Sequence, residues 1–168
     1  TNMTFLGIIA FLDPPKPDAK EAIRGLYDAG VHVKVISGDA PVVVEHVCKL
    51  VGMKVGDQSA VTGSDLENMS DAELSSVVEK NDIFARLSPM QKKRVVDTLR
   101  NNGHVVGYMG DGVNDAPSLH DADVGISVDN GTDVAKASAD IILLEKSLTV
   151  ILNGIYEGRR IYGNILKY

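Results

Sequence analysis

Short apolar segments alternate with helical segments along this 168-residue chain, and the alternation constrains the fold more than any other feature. Most of the apolar segments are too short for buried helices and are bounded by Gly, Pro or Asp, which is typical of buried strands. We predict strands at residues 4–12, 31–36, 60–62, 82–85, 104–109, 124–126 and 141–144. The pattern predicts an α/β domain with a doubly wound, mostly parallel sheet and helices on both faces.

Helix-start and helix-stop signals lie between these strands. Ser70 with Glu73, and Ser88 with Gln91, have the spacing of capping boxes. Glycine follows several of the helical segments and ends them. We predict helices at residues 17–29, 41–51, 70–80, 88–102, a short one ending at 119, then 133–138 and a long amphipathic one at 147–168, with loops over most of 53–70.

Composition excludes several classes of protein. Seventeen basic residues against 23 acidic ones give a net charge of −6, so we predict no nucleic-acid partner. Cys48 is the single cysteine, which excludes an intrachain disulfide framework. No apolar run approaches the roughly 20 residues of a membrane-spanning helix. The chain begins without Met and ends within a helical pattern, so we expect a piece of a longer protein.

The densest signal is the string from Gly110 to Pro117, which directly follows a predicted strand. Asp111 and Asp115 are four residues apart, so a helix beginning by Asn114 would turn both carboxylates toward one point. Carboxylates at a strand end suit Mg²⁺, which takes oxygen ligands together with phosphate and water. The same string also fits an ordinary Asp-rich turn with a helix cap.

Two further strand-to-helix junctions carry polar residues. The turn Ser37-Gly38-Asp39 offers a hydroxyl and backbone N–H groups to an anion, although Asp39 could instead cap the next helix. Lys92 lies in the first turn of a helix, where the helix dipole disfavours a cation and so points to a compensating anion. Lys93 and Arg94 adjoin it, and spacing alone does not choose among the three or exclude a solvated basic face.

Ligands of doubly wound folds lie beyond the carboxyl ends of the strands, where these three junctions are predicted to meet. They offer a hydroxyl, an ammonium group and two carboxylates. Those are the parts of a Mg²⁺-dependent phosphoryl-transfer site, which positions the phosphoryl group and neutralises its charge.

The string Gly110 to Pro117 resembles the hinge motif of P-type ATPases, which are members of the haloacid dehalogenase superfamily. Three more strings resemble motifs of that family in matching order: Asp13-Pro14-Pro15, Ser37-Gly38-Asp39 with Ser in place of Thr, and Phe84-Ala85-Arg86 followed by Pro89 and Lys92. The last string selects Lys92 over Lys93 as the phosphate-contacting lysine. The resemblance implies a Rossmann-like haloacid dehalogenase core that ends in a stalk helix.

The resemblance also implies roles for individual residues. It implies a catalytic Mg²⁺ bound by Asp111 and Asp115. It implies a phosphate-binding set made of Ser37, Gly38, Lys92 and Asn114. It implies a catalytic set made of Lys92, Asp115, Asn114 and Asp39, with ATP as the substrate of the whole pump and Asp39 fixing its loop.

One departure from the family is the absence of a DKTGT string, which carries the phosphorylated aspartate. The chain therefore resembles the C-terminal part of a phosphorylation domain at residues 1–146, followed by a stalk helix at 147–168. We expect the chain alone to bind Mg²⁺ weakly and to catalyse no turnover. Its partners would be the missing part of the phosphorylation domain and the nucleotide-binding, actuator and transmembrane domains of the same protein.

Two alternatives stay open. The chain could be a freestanding phosphatase of the superfamily that uses Asp13 as nucleophile. Pro15 then stands where the superfamily has a second acid or a Thr, which argues against this. The chain could also be a non-catalytic module that docks on a complete pump.

Four strings, at residues 11–16, 123–129, 139–148 and 163–168, most resemble bacterial magnesium-transporting P-type ATPases. The resemblance implies magnesium as the transported ion. That ion is chosen by transmembrane residues, and this chain has none of them. We expect the domain to lie at the cytoplasmic face of the plasma (inner) membrane, as part of an integral membrane protein.

Overall fold

A computed structural model describes residues 4, 6, 7, 14–55, 60–145 and 147–167. Among them the strands are β1 (Val35–Ile36), β2 (Val61–Thr62), β3 (Ile83–Ala85), β4 (Gly107–Met109), β5 (Val124–Val128) and β6 (Ile141–Leu143). The helices are α1 (Ala19–Asp28), α2 (Pro41–Leu50), α3 (Gly63–Glu67), α4 (Asp71–Lys80), α5 (Pro89–Asn101), α6 (Ala116–Asp121), α7 (Asp133–Ala137) and α8 (Thr149–Ile165). The predicted strand at 4–12 and the Asp13 string lie mostly outside the described residues.

The described strands form two three-stranded sheets, and every pairing within them is parallel. The first sheet has the order β1-β3-β2, with Val35 opposite Ile83 and Val61 opposite Phe84. The second has the order β4-β5-β6, with Gly107 opposite Val124. The predicted α/β fold with a parallel sheet is confirmed.

Helices cover both faces of the first sheet. Along β3, Ile83 and Ala85 point into a core cluster beneath α1 and α2, whereas Phe84 points into a second cluster beneath α4 and α5. This alternation follows from the two-residue period of a strand. A third cluster packs Val96 of α5 against Tyr108 of β4. Helix α5 therefore contributes to the cores of both sheets.

Two strands, β1 and β4, are at least three residues shorter than predicted, and the preceding helices explain both differences. The N–H of Val31 donates to the carbonyl of Leu26, and the N–H of His104 donates to that of Leu99. These bonds close the ends of α1 and α5 around glycines with positive φ. The residues that follow cannot enter the sheet until β1 and β4 begin.

The prediction of a loop over residues 63–67 was wrong, because α3 occupies this segment. Thr62 accepts the N–H of Asp65, and the Asp65 side chain accepts the N–H of Thr62, so the two residues form a capping box. Asp replaces the usual Glu or Gln of that motif. The capping boxes predicted at Ser70 and Ser88 are both present.

The predicted long amphipathic helix is α8, which packs along α1. Leu152 lies against Gly25, and Arg159 donates to the carbonyl of Ala29 at 2.6 Å. The last turns of α8 extend beyond α1 and expose Tyr162, which is 63% accessible. Within the described part of the chain, no helix has the length and apolar character needed to cross a membrane.

Candidate functional site

The segment from Gly110 to Pro117 leaves the end of β4 and is held by backbone bonds to the neighbouring strand and loop. The N–H of Gly110 donates to the carbonyl of Ile126 at 3.0 Å, and the carbonyl of Asp111 accepts the N–H of Thr132 at 2.8 Å. A 3₁₀ turn follows over Val113–Asp115 and leads directly into α6. These contacts fix the backbone that presents the polar side chains.

Gly110 is required for the close approach of Asp115. A Cβ atom at position 110 would lie 2.5 Å from the Cβ of Asp115 and 2.8 Å from its Cγ. Such contacts are far below van der Waals distance. The absence of a side chain at Gly110 therefore lets the Asp115 carboxylate fold back over the loop.

Asp115 is the residue at which the site converges. Its Oδ1 accepts the Lys92 ammonium at 2.8 Å and the Tyr108 hydroxyl at 2.9 Å, while its Oδ2 accepts the N–H of Gly112 at 3.2 Å. The side chains of Lys92 and Asp115 are only 12% and 13% exposed. Burial raises the pKa of Asp115, but the hydrogen bond and charge of Lys92, with the other two donors, outweigh it and leave the pKa lowered.

Asp111 differs sharply from Asp115. Its side chain is exposed, and none of the described residues donates a hydrogen bond to it. An exposed carboxylate on a loop with an anchored backbone is a suitable ligand for Mg²⁺. The described residues contain no cluster of three or more His, Cys, Asp or Glu that could hold a metal. A single exposed carboxylate suits an ion such as Mg²⁺, which takes most of its ligands from water and phosphate.

The Ser37-Gly38-Asp39 turn leaves the end of β1. The Ser37 hydroxyl donates to Oδ2 of Asp39 and accepts the Asp39 N–H, both at 3.0 Å. Asp39 does not cap α2, whose N-cap is Ala40 without a side-chain hydrogen bond. That alternative reading is therefore wrong, and the carboxylate instead holds the turn closed.

Backbone bonds join this turn to the segment that opens α5. The N–H of Leu87 donates to the carbonyl of Ser37 at 3.0 Å, and that of Arg86 donates to the carbonyl of Asp39 at 2.9 Å. Arg86 has a φ of 54°, an uncommon value for a residue with a side chain. The turn and the first residues of α5 therefore form one connected unit.

The structure distinguishes the three cations that the sequence left together. Lys92 pairs with Asp115, whereas Lys93 pairs with Asp97 and with Asp121 on α6. Arg94 donates to the carbonyl of Leu66 in α3 and so links α5 to the α3–α4 junction. Among the three, Lys92 alone faces the Gly110–Pro117 segment.

The structure brings some of the predicted site residues together and not others. Lys92 contacts Asp115, and Ser37 and Asp39 are tied to the start of the helix that carries Lys92. Asn114 is exposed on the 3₁₀ turn. No hydrogen bond among the described residues joins the Ser37 turn to the Gly110–Pro117 segment.

Sequence reasoning missed Tyr108. The available signal was a tyrosine inside an apolar strand, because a buried phenol hydroxyl normally has a hydrogen-bond partner. The identity of that partner depends on the fold of the loop that follows.

Comparisons with known proteins identify the family of the chain. A family model described as haloacid dehalogenase-like hydrolase matches residues 2–123. The chain is 55% identical over 168 residues to the magnesium-transporting ATPase, P-type 1, of Salmonella typhimurium, covering 100% of this chain and 18% of that protein. It is 41% identical over 170 residues to calcium-transporting ATPase 1 of Saccharomyces cerevisiae, covering 99% of this chain and 18% of that protein.

A solved structure of a zinc-transporting PIB-type ATPase in the E2.Pi state aligns with a TM-score of 0.72 at 28% identity. The alignment covers 92% of this chain and 21% of that one. The chain thus spans about a fifth of the length of the relatives it matches.

Proposed function

The chain belongs to the haloacid dehalogenase-like hydrolases, and on that basis we propose that it is the C-terminal part of the phosphorylation domain of an ATP-driven P-type cation pump. One observation carries the proposal. The 2.8 Å pair between Lys92 and Asp115 joins two of the motifs, and Asp115 also accepts the N–H of Gly112, the residue that follows the exposed Asp111. A cation, a fixed carboxylate and an unpaired one are the elements that a phosphoryl-transfer site needs.

In this proposal each predicted residue has one task. Asp111 holds a catalytic Mg²⁺, and Asp115 supports that site by fixing the loop, since its two oxygens already accept three hydrogen bonds. When bound, Mg²⁺ supplies positive charge against the phosphoryl oxygens. The phosphate-binding set is Ser37, Gly38, Lys92 and Asn114. Asp39 keeps the Ser37 turn closed.

Lys92 has the geometry for charge neutralisation. An ammonium group has three donors, and one of them is directed to Asp115. The remaining donors can face phosphoryl oxygens at the edge of the site. The lowered pKa of Asp115 keeps its charge in place at neutral pH, so the pair is ionised when a phosphoryl group arrives.

The arrangement of the two sheets supports a strand between them, contributed by the missing segment that carries the nucleophile. Among the described residues β1 pairs only with β3, and β4 pairs only with β5. Ile36 at the end of β1 and Val106 just before β4 both pack against the clusters that contain Val95 and Val96 of α5. We propose that a strand ending in the phosphorylated aspartate pairs with both edges and delivers that aspartate between Ser37 and Asp111.

The whole protein in this proposal is a magnesium transporter. The 55% identity to a relative named for magnesium, against 41% to one named for calcium, supports that ion. The remaining partners are the rest of the phosphorylation domain and the nucleotide-binding, actuator and transmembrane domains of the same polypeptide. ATP is the substrate, and the domain lies at the cytoplasmic face of the inner membrane, with α8 leading toward a membrane span.

The test is the intact mass of the chain after incubation with Mg²⁺ and acetyl phosphate. We expect no adduct on this chain, and a hydroxylamine-labile phosphoryl adduct when the upstream segment that bears the nucleophile is joined to it. A labile adduct on the chain alone that disappears in Asp13→Asn would support a freestanding phosphatase. Absence of an adduct on both forms would leave only a non-catalytic module.

A second measurement addresses the metal. Titration with Mg²⁺ should show about tenfold weaker binding in Asp111→Asn, because a neutral amide replaces the exposed carboxylate. Asp28→Asn, an exposed change on α1, is the matched control and should bind as the unmodified chain does. Equal affinity in Asp111→Asn would remove Asp111 from the metal site.

A further inference from the structure

Tyr108 is a buried polar residue to which the proposed function gives no task. It lies in β4, is 7% exposed and packs with Val96, Leu119 and Ala135 in the third core cluster. Its ring packs within that cluster, and its hydroxyl reaches the Asp115 carboxylate at the end of β4. The hydroxyl donates to Oδ1 of Asp115 at 2.9 Å.

The oxygen that accepts this bond is the one that holds Lys92. Two donors from different elements therefore converge on Oδ1, one from β4 and one from α5. The N–H of Gly112 takes the other oxygen. With three donors in three directions, rotation of the carboxylate is blocked, and the Lys92 ammonium is held at one place relative to the sheet.

The surroundings of the hydroxyl also favour its protonated form, which is the form that donates. Burial raises the pKa of Tyr108, and the charge of Asp115 and the hydrogen bond to it raise it further. The phenol consequently remains protonated while Asp115 remains ionised.

From this geometry we infer that Tyr108 is a positioning residue of the phosphoryl-transfer site, which fixes Oδ1 of Asp115 and through it the Lys92 ammonium. The inference rests on the proposed function, because it gives Lys92 the task of neutralising the phosphoryl group. Without the hydroxyl, Oδ1 keeps Lys92 as its single strong donor, and the carboxylate and ammonium can move together away from the phosphoryl position. A small displacement of this kind lowers the rate more than it lowers substrate binding.

Tyr108→Phe is the test, since it removes the hydroxyl and keeps the ring that fills the cluster. In the full-length protein, we expect phosphoenzyme formation from ATP to slow about tenfold, with KM changed less than twofold. Tyr156→Phe on the exposed part of α8 is the matched control and should change neither value.

A second variant separates the hydroxyl from the ring. Site-specific 3-fluorotyrosine at position 108 retains the donor and should retain the rate. If the fluorinated protein is as slow as Tyr108→Phe, or if Tyr108→Phe forms phosphoenzyme at the normal rate, Tyr108 has no positioning role.

Lys92→Ala, measured in the same assay, distinguishes a failure of the role given to Tyr108 from a failure of the proposed function of the site. A normal rate in Tyr108→Phe beside a lost rate in Lys92→Ala overturns the role of Tyr108 and leaves the proposed function intact. A normal rate in Lys92→Ala overturns the proposed function of this site, and with it the role of Tyr108.

Discussion

At Asp115 a single carboxylate accepts hydrogen bonds from a helix, a strand and its own loop. Its ionisation is favoured in the folded chain because those donors outweigh the cost of burial, so its pKa lies below the ordinary value of 3.8. The stability it contributes is therefore present above that ordinary value and is lost as the pH falls through the lowered one.

Lys92→Ala should destabilise the chain by about 2–3 kcal/mol at pH 7, because it leaves a buried carboxylate without its cation. The burial of Asp115 then dominates and raises its pKa above the ordinary value. The folded variant gains stability by binding a proton as the pH falls. The difference in unfolding free energy between the unmodified chain and the variant should therefore shrink between pH 7 and pH 4. Urea unfolding at both pH values measures the two differences.

Lys93→Ala is the matched control for this prediction. Lys93 pairs with Asp97 and Asp121, whose side chains are 36% and 24% exposed, so water solvates both carboxylates when the lysine is removed. We expect a loss of under about 1 kcal/mol from this change. Equal losses in the two variants would show that the Lys92–Asp115 pair contributes no more to stability than the pairs made by Lys93.

Gly110→Ala should destabilise the chain by about 1–3 kcal/mol, because the new Cβ would overlap the Asp115 side chain and force the loop to move. Gly154→Ala is the control within α8, where, apart from the helix's own backbone, no atom of the described residues lies within 4 Å of the new methyl group. There the gain in helix propensity should stabilise the chain by up to about 1 kcal/mol. Urea midpoints that shift in the same direction for both variants would contradict the steric role of Gly110.

At this scale the sequence predicted the chemistry of the residues better than their contacts. The helix start drew attention to three adjacent cations, and the family-like string before them selected Lys92, while the loop after β4 pointed to its partner Asp115. Tyr108 was missed, because its contact depends on a turn that brings residues 108 and 115 together. Asp39 was left with two possible tasks, and only the geometry of Ser37 separates them.

At the scale of elements, the unit of α1 and α8 is joined at both ends. Oδ2 of Asp18, just before α1, accepts the Ser147 hydroxyl at 2.7 Å and the N–H groups of Leu148 and Thr149 at 2.5 and 3.3 Å. Helix α8 has no side-chain cap of its own. A carboxylate about 130 residues away in sequence thus caps the helix that the proposal assigns to the stalk.

Asp18→Ala should weaken the first turn of α8 by about 1 kcal/mol, the usual cost of losing an N-cap. Amide hydrogen exchange at residues 148–151 measures this loss and should quicken about fivefold. The later turns should keep their protection, because Leu152 and Arg159 still contact α1. In Asp28→Ala, which removes only an exposed 4.0 Å pair with Arg24, exchange in α8 should not change. Unchanged exchange in Asp18→Ala would mean that the cap does not stabilise α8.

Element prediction succeeded where signals were local and failed where they were not. The capping boxes at Ser70 and Ser88 fixed the starts of α4 and α5 to the residue. Helix α3 was missed because its box uses Asp65, which also fits a loop. At the start of α8, Ser147 accepts the N–H of Thr149 locally, but the larger part of the cap comes from Asp18, which meets this turn only in the fold.

At the scale of the whole molecule, none of the described strands pairs with the outer edge of β1 or of β4, and α5 packs against both sheets. In a parallel sheet, alternate residues of a strand direct their N–H and C=O groups to opposite neighbours. Val35 and Ser37 bond to the β3 side, through Asp82 and Phe84, so Ile36 faces the other edge. By the same alternation, Gly107 and Met109 face away from β5.

These three amides report directly on the strand that the proposal places between the sheets. In this chain the N–H groups of Ile36, Gly107 and Met109 should exchange quickly, because no described residue accepts them. In a chain joined to the upstream nucleophile segment, their exchange should slow by at least about tenfold as the new strand pairs with both edges. The amides of Val35, Ser37 and Gly110 are internal controls, since they already donate within their sheets at 2.8, 2.9 and 3.0 Å.

Protection that rose equally at all six positions would indicate general stabilisation and not an inserted strand. Protection at Ile36 alone would place the segment at the edge of one sheet, so the nucleophile would not reach the gap between Ser37 and Asp111. Protection confined to the three edge amides, together with a phosphoryl adduct on the same extended chain, would tie the completed sheet to the chemistry.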